Sequence, residues 1–138
     1  MVKMTPPRYR MIRLFSVLFV PLAFAQLPPQ KALPKIIKLD SQGQSYLRIL
    51  GGPPETSTMR SGLVTLAPGK SVGKHSTEDF EELVIILEGE AEMRITRGDS
   101  LRLPEGYAAY CPSHTEHDVF NVGRKTLRYI YVVAEAKN

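Results

Sequence analysis

The sequence predicts an all-β fold, a sandwich or barrel of short strands. Turn-forming residues recur about every ten positions from Thr58 onward. The runs between them are short and rich in Val, Ile, Leu and Tyr. No long stretch carries a clear helical period.

The elements follow in order. Residues 26–34 are rich in Pro and Gln and read as an extended leader. Residues 36–39 form a short apolar run that suits an edge strand, and 40–45 are turn-like. A strand is expected over 46–50, stopped by Gly51-Gly52-Pro53-Pro54. Further strands are expected over 63–66, 83–87, 91–96 and 101–103. They end at Pro68-Gly69, Glu88-Gly89-Glu90, Arg97-Gly98-Asp99 and Pro104-Glu105-Gly106. The last three are 107–111, 117–122 and 127–133; Pro112-Ser113 and Gly123-Arg124 lie between them.

The formal net charge of +4 does not imply nucleic acid. Lys3, Arg8, Arg10 and Arg13 fall in residues 1–25, which hold no acid. Without those four, 14 of the 18 basic residues remain against 14 acidic ones. No basic patch is interleaved with aromatics, so nothing here would neutralise a row of phosphates. Nucleic acid is excluded as a partner.

Residues 1–25 have the pattern of a secretory signal peptide. A cationic stretch ends at Arg13, a mostly apolar run covers 14–23 and is broken near its end by Pro21, and Ala23-Phe24-Ala25 fits a small-x-small cleavage site. A membrane-spanning helix needs roughly 20 apolar residues, and this run is about half that. The expected organisation is a signal peptide over 1–25, a leader over 26–45 and one domain over 46–138, exported to the periplasm or beyond the cell. The only cysteine is Cys111, so an exported chain has no internal disulfide. Between Tyr110 and Pro112 it reads as a packed strand end. The 113 residues left after cleavage suffice for one modest core. The chain has no P-loop, dinucleotide-binding glycine pattern, CxxC or Gly-x-Ser-x-Gly turn.

The residues that carry chemistry are His75, His114 and His117, the chain's three histidines, with Glu78, Asp79, Glu81 and Glu82 nearby. Histidine with carboxylate in a small barrel is a plausible ligand set for zinc or another first-row metal.

Two stretches then resemble the paired motifs of the cupin superfamily. Gly69, five residues, His75, Ser76, Thr77, four residues, Glu82, six residues and Gly89 is similar to the first motif, G-x5-H-x-H-x(3,4)-E-x6-G. Gly106, five residues, Pro112, Ser113, His114, two residues, His117, three residues and Asn121 is similar to the second, G-x5-P-x-G-x2-H-x3-N. The resemblance covers residues 58–133. It implies a small barrel of two antiparallel sheets and a divalent metal held by His75, Glu82 and His117. Glu82 is preferred to Glu81 because the six-residue gap to Gly89 starts from it. The chain departs from the pattern twice: Thr77 stands where the motif has its second His, and His114 where it has Gly.

Thr77 is a poor ligand. If residues 75–77 are extended, its hydroxyl shares a face with His75 and is placed to hold a water beside a metal. His114 reads first as a pocket residue and second as a replacement ligand. Glu81 belongs to an acidic loop that is solvated by default. Tyr107 and Tyr110 read as lining for an aromatic or sugar-like ligand or, more commonly, as amphipathic barrel residues. Asn121 reads as a strand-end hydrogen-bonding residue.

Two His and one carboxylate with open positions is also the ligand composition of non-haem Fe(II) oxygenases. Fe, Mn, Zn, Ni and Cu all suit such a set. The resemblance therefore implies a metal-dependent enzyme, similar to dioxygenases of the quercetinase or cysteine-dioxygenase kind, isomerases or decarboxylases, acting on a small oxygen-rich molecule. Glu82 is then the candidate catalytic base. The competing readings are a barrel that binds a small molecule or metal without turnover, and a dimeric scaffold with a vestigial site. A homodimer is expected from the resemblance, with 36–39 a strand able to pair across subunits.

Overall fold

A computed structural model describes residues 32–137. The expected signal peptide lies outside them. Nine strands follow in order: β1 (Tyr46–Gly51), β2 (Arg60–Leu66), β3 (His75–Ser76), β4 (Phe80–Glu88), β5 (Glu90–Ile95), β6 (Ser100–Pro104), β7 (Ala108–Cys111), β8 (Glu116–Asn121) and β9 (Leu127–Glu135). No helix occurs among the described residues, so none there could cross a membrane.

The strands make two antiparallel sheets, a five-stranded one in the order β1-β2-β9-β4-β7 and a four-stranded one in the order β3-β8-β5-β6. The expected all-β architecture of two antiparallel sheets is what the chain adopts. Its cause is visible along each strand. In β4 the inward positions are Glu82, Val84 and Ile86, and the residues between them face out. In β8 they are His117, Val119 and Asn121. The core between the sheets is built from Val64, Leu66, Val84, Ile86, Met93, Val119 and Leu127, with Tyr129. Burying each such aliphatic side chain contributes roughly 1.5–3 kcal/mol. Glu82 shares its inward row with Val84 and Ile86, and His117 shares its row with Val119 and Asn121, so both are desolvated and need partners.

Two motif residues have structural causes. Gly89 turns the chain between β4 and β5 with φ +88°, and a Cβ there would lie 2.8 Å from the Thr126 carbonyl oxygen. Asn121 donates from Nδ2 to the carbonyls of Leu66 and Lys125, both at 2.9 Å, and accepts from the Gly123 N–H at 3.0 Å. It ties three chain segments together, the strand-end role expected of it.

The run 36–39 is not a strand; residues 32–40 are irregular and Ile36 is fully exposed. The edges of the larger sheet are β1 and β7. Four residues with no partner strand gain no ladder, and no apolar surface lies beneath Ile36 to repay ordering it. The two-residue strand β3, by contrast, has no signature in the sequence. It forms because His75 and Ser76 pair with His117 and Glu116 of β8.

Candidate metal centre

The pairing of β3 with β8 sets His75 directly opposite His117 in the smaller sheet. Their ring centroids are 4.4 Å apart at an interplanar angle of 57°. Glu82 comes from β4 in the facing sheet. Its Oε2 lies 3.1 Å from His117 Nε2 and 4.0 Å from His75 Nε2. The three side chains thus meet between the sheets.

Each imidazole is oriented by its other nitrogen. His75 Nδ1 lies 2.9 Å from the Gly73 carbonyl oxygen, and His117 Nδ1 lies 3.2 Å from that of Thr115. Only an N–H can satisfy a carbonyl, so Nδ1 carries the proton in the neutral rings and Nε2 carries the lone pair. Backbone carbonyls holding Nδ1–H are the usual support behind histidine ligands. Although Glu82 Oε2 is close, it lies off the hydrogen-bonding direction, and His117 Nε2 is buried without a hydrogen-bond partner. That contact is an electrostatic approach, not a bond, because geometry as well as distance defines one.

The His117 side chain is 0% exposed and that of Glu82 8%, while that of His75 is 44% exposed. The cluster has a closed floor and one open side. Burial alone pulls the His117 pKa down. The Glu82 carboxylate, the Thr115 carbonyl and Asp118 together outweigh burial and hold it above the ordinary histidine value. Cys111 lies opposite Glu82 in the β4–β7 pairing, with its Sγ 3.2 Å from Met93 Sδ. Burial, then the Glu82 charge, pushes its thiol up to about 11, so it is a packed, protonated core residue.

The fit to a metal can be tested on the donors. One ligand atom from each of His75, Glu82 and His117 lies within 4.8 Å of the others. Two ligands each about 2.1 Å from one ion stand at most about 4.2 Å apart, so small side-chain rotations close the set. A buried lone pair with no partner, two imidazoles presenting Nε2 and one carboxylate fit a divalent first-row ion.

The other sequence candidates lie elsewhere. Thr77 is buried, but it starts a turn after β3, and its hydroxyl donates to the Pro112 carbonyl at 2.8 Å. The same oxygen accepts the Thr115 N–H at 2.9 Å. Its proton is committed to a clamp on the 112–115 loop, so it does not donate to a water at the cluster. His114 has φ +58° and projects to the surface beside Asp79, with Nε2 3.6 Å from Oδ1; it neither joins the cluster nor lines its cavity. Strand alternation sends Glu81 to the outer face of β4, where it accepts a hydrogen bond from Tyr110 at 3.0 Å. Tyr110 and Tyr107 are exposed and line no inner pocket.

Residues not anticipated take that place. A cavity of about 470 Å³ adjoins His75 and Glu82 and is lined by Tyr46, Arg60, Phe80, Tyr129 and Tyr131 among others. The signal available was the spacing of Tyr129 and Tyr131, which puts both on one face of β9 beside the core residue Leu127. A larger cavity of about 710 Å³ lies between residues 32–35 and 51–55, and none of the three cluster residues lines it.

This is a barrel protein whose reactive groups sit between its sheets, not on its loops. The chain belongs to the cupin domain family, whose sequence profile it matches over residues 62–133. No curated protein sequence matches it. Among solved structures it is similar to a cupin 2 conserved barrel domain protein from Salinispora arenicola, at 23% identity and TM-score 0.62, over 75% of this chain and 91% of that one. A cupin family protein with a double-stranded β-helix fold from Methanocaldococcus jannaschii is similar at 17% identity and TM-score 0.62, over 75% and 92%. The cupin domain of Schizosaccharomyces pombe Cnp3 is similar at 17% identity and TM-score 0.59, over 65% of this chain and 63% of that one. At these identities the likeness concerns the fold alone.

Proposed function

We propose that the protein is an exported cupin that binds a divalent metal through His75, Glu82 and His117 and acts on a small oxygen-rich molecule in the adjoining cavity. The observation that carries this reading is the unpartnered Nε2 of His117, buried and within 4.8 Å of a ligand atom from each of the other two donors. A buried polar atom left unsatisfied costs about 1–3 kcal/mol, and a ligated ion removes that cost. Export is supported by the cationic, apolar and small-x-small order of residues 1–25.

A divalent ion in such a site supplies a Lewis acid or, if redox-active, an electron relay to an oxygen donor of the substrate. The residues do the rest. His117 and Glu82 form the floor and exclude water from it. His75, half exposed, faces the cavity from which a substrate arrives. Glu82, whose Oε2 is 3.1 and 4.0 Å from the two Nε2 atoms, would alternatively leave the metal and act as a base at the cavity's inner end. The open side suits an oxygenase or isomerase. A second reading, binding without turnover, is favoured by Thr77: the position that supplies a further His in the family motif is tied into a backbone clamp.

The test is metal content. The purified chain is analysed for bound metals beside His75→Ala, His117→Ala and Glu82→Gln. Stoichiometric metal in the parent and its loss in the variants supports the site, whereas unchanged metal in all three removes it. Oxygen uptake with catechol-like substrates then separates enzyme from binder. The outer face of the larger sheet exposes Leu83 and Tyr110, which supports a homodimer, to be checked by sedimentation.

A further inference from the structure

Arg60 begins β2 and shares a row of the larger sheet with Glu82: Arg60 pairs with Val133, and Val133 pairs with Glu82. Strands lie about 4.8 Å apart, so the two backbones stand about 10 Å from each other with side chains on one face. The guanidinium reaches over the Phe80 ring, 5.0 Å from its centroid, and borders the same cavity as His75 and Glu82. Glu78 and Glu82 also border that cavity, yet Arg60 makes no ion pair with any carboxylate among the described residues. Arg94 and Arg128 each have one carboxylate partner and Arg102 has two.

Beside Arg60 stand two stacked tyrosines. Tyr46 and Tyr131 have ring centroids 6.4 Å apart and hydroxyls 2.9 Å apart. The pair fits over β2 only because residue 62 is glycine: a Cβ there would lie 2.6 Å from Tyr46 Cε2 and 2.8 Å from Tyr131 Cε1. One hydroxyl proton is used within the pair. The second has no acceptor among the described residues and is free to donate to a ligand oxygen. Val64, Val72 and Val133 supply apolar wall. A planar cation stacked on an aromatic ring, a spare hydroxyl donor and apolar walls are the complement of a small organic acid.

We infer that Arg60, with the Tyr46–Tyr131 pair, forms a recognition subsite for the carboxylate of a small organic acid whose apolar or aromatic body lies along the valines toward His75. This deepens the proposed function by naming its ligand class and rests on the same cavity. It does not need the metal, so the two can fail separately.

The test uses 3-phenylpropionate and its neutral isostere 3-phenylpropionamide as probes, with binding measured by calorimetry on chelator-treated protein and metal content measured on untreated samples. Metal-free parent protein is expected to bind the acid about tenfold or more tightly than the amide, the worth of one charge-assisted pair. Arg60→Gln is expected to abolish that preference, leave the amide's affinity unchanged and keep the parent's metal content. Arg60→Lys, which keeps the charge and loses the fork, is expected to fall between. Equal binding of acid and amide by the metal-free parent overturns the subsite, as does a preference that survives in Arg60→Gln. Tighter Arg60-dependent binding of phenyl phosphate than of the acid overturns the carboxylate assignment. A parent protein without metal that still prefers the acid through Arg60 sinks the metal reading and leaves this one standing.

Discussion

His117→Ala separates the two roles of the buried imidazole. Without metal, truncation removes a fully buried side chain, and large-to-Ala core changes cost about 2–4 kcal/mol. The same change removes the unpartnered Nε2, whose burial costs about 1–3 kcal/mol. The two effects partly offset, so the net change in the metal-free protein lies between a gain of about 1 and a loss of about 3 kcal/mol. With metal the two proteins part. An ion at a hundredfold excess over its Kd stabilises the parent by about 2.7 kcal/mol. For a domain of this size that raises Tm by about 10–20 °C. His117→Ala is expected to show none of this increment. The assay is thermal unfolding by circular dichroism, with chelator and then with Fe, Mn, Zn, Ni or Cu in turn. An equal metal-induced rise in parent and variant refutes the reasoning, as does a parent that none of the five ions stabilises.

The remaining predictions concern pH, the clamp and the thiol. Because the His117 pKa is held above the ordinary value, protons compete for Nε2 earlier than at a free histidine, and the metal-induced Tm rise is expected to fade as pH falls through that raised pKa. The metal-free protein has the opposite sign: a raised folded pKa gives stability that is full below the unfolded value of 6.5 and lost as pH rises through the folded one, which melts with chelator would reveal. Thr77→Val deletes the bonds to Pro112 and Thr115 and is expected to cost about 1–3 kcal/mol in denaturant unfolding while metal stoichiometry stays at the parent value. Cys111, buried with its thiol pushed up to about 11, should resist a thiol reagent at pH 8 until the protein unfolds; prompt labelling of native protein would contradict its placement.

The strands were legible where turn residues bracket apolar runs, because Pro fixes φ while Gly and Asp tolerate turn conformations that a strand does not use. That is why β4 through β9 fall close to their expected places. Glu82 was separated from Glu81 by the motif's six-residue gap to Gly89, and the alternation of β4 does put Glu82 inside and Glu81 outside. Three things were not legible. β3 is created by pairing with β8, a tertiary event. Thr77 gives its hydroxyl proton to a loop carbonyl, because the chain turns immediately after Ser76 and breaks the alternation that extended backbone would have kept. Arg60, Tyr46 and Tyr131 come together across three strands, and no local spacing encodes which rows align.

The smallest strand carries one of the three donors. β3 holds only two residues and sits at the edge of its sheet, so in the empty protein it is the element least able to resist fraying. His75 belongs to it, whereas Glu82 is anchored in a long interior strand of the opposite layer. An ion bound by both would act as a rivet between layers, fastening the flimsiest edge to the sturdiest beam. Amide exchange around residues 74–77 should then slow on loading far more than exchange along β4, making the cavity's doorway, not its walls, the part that feels occupancy.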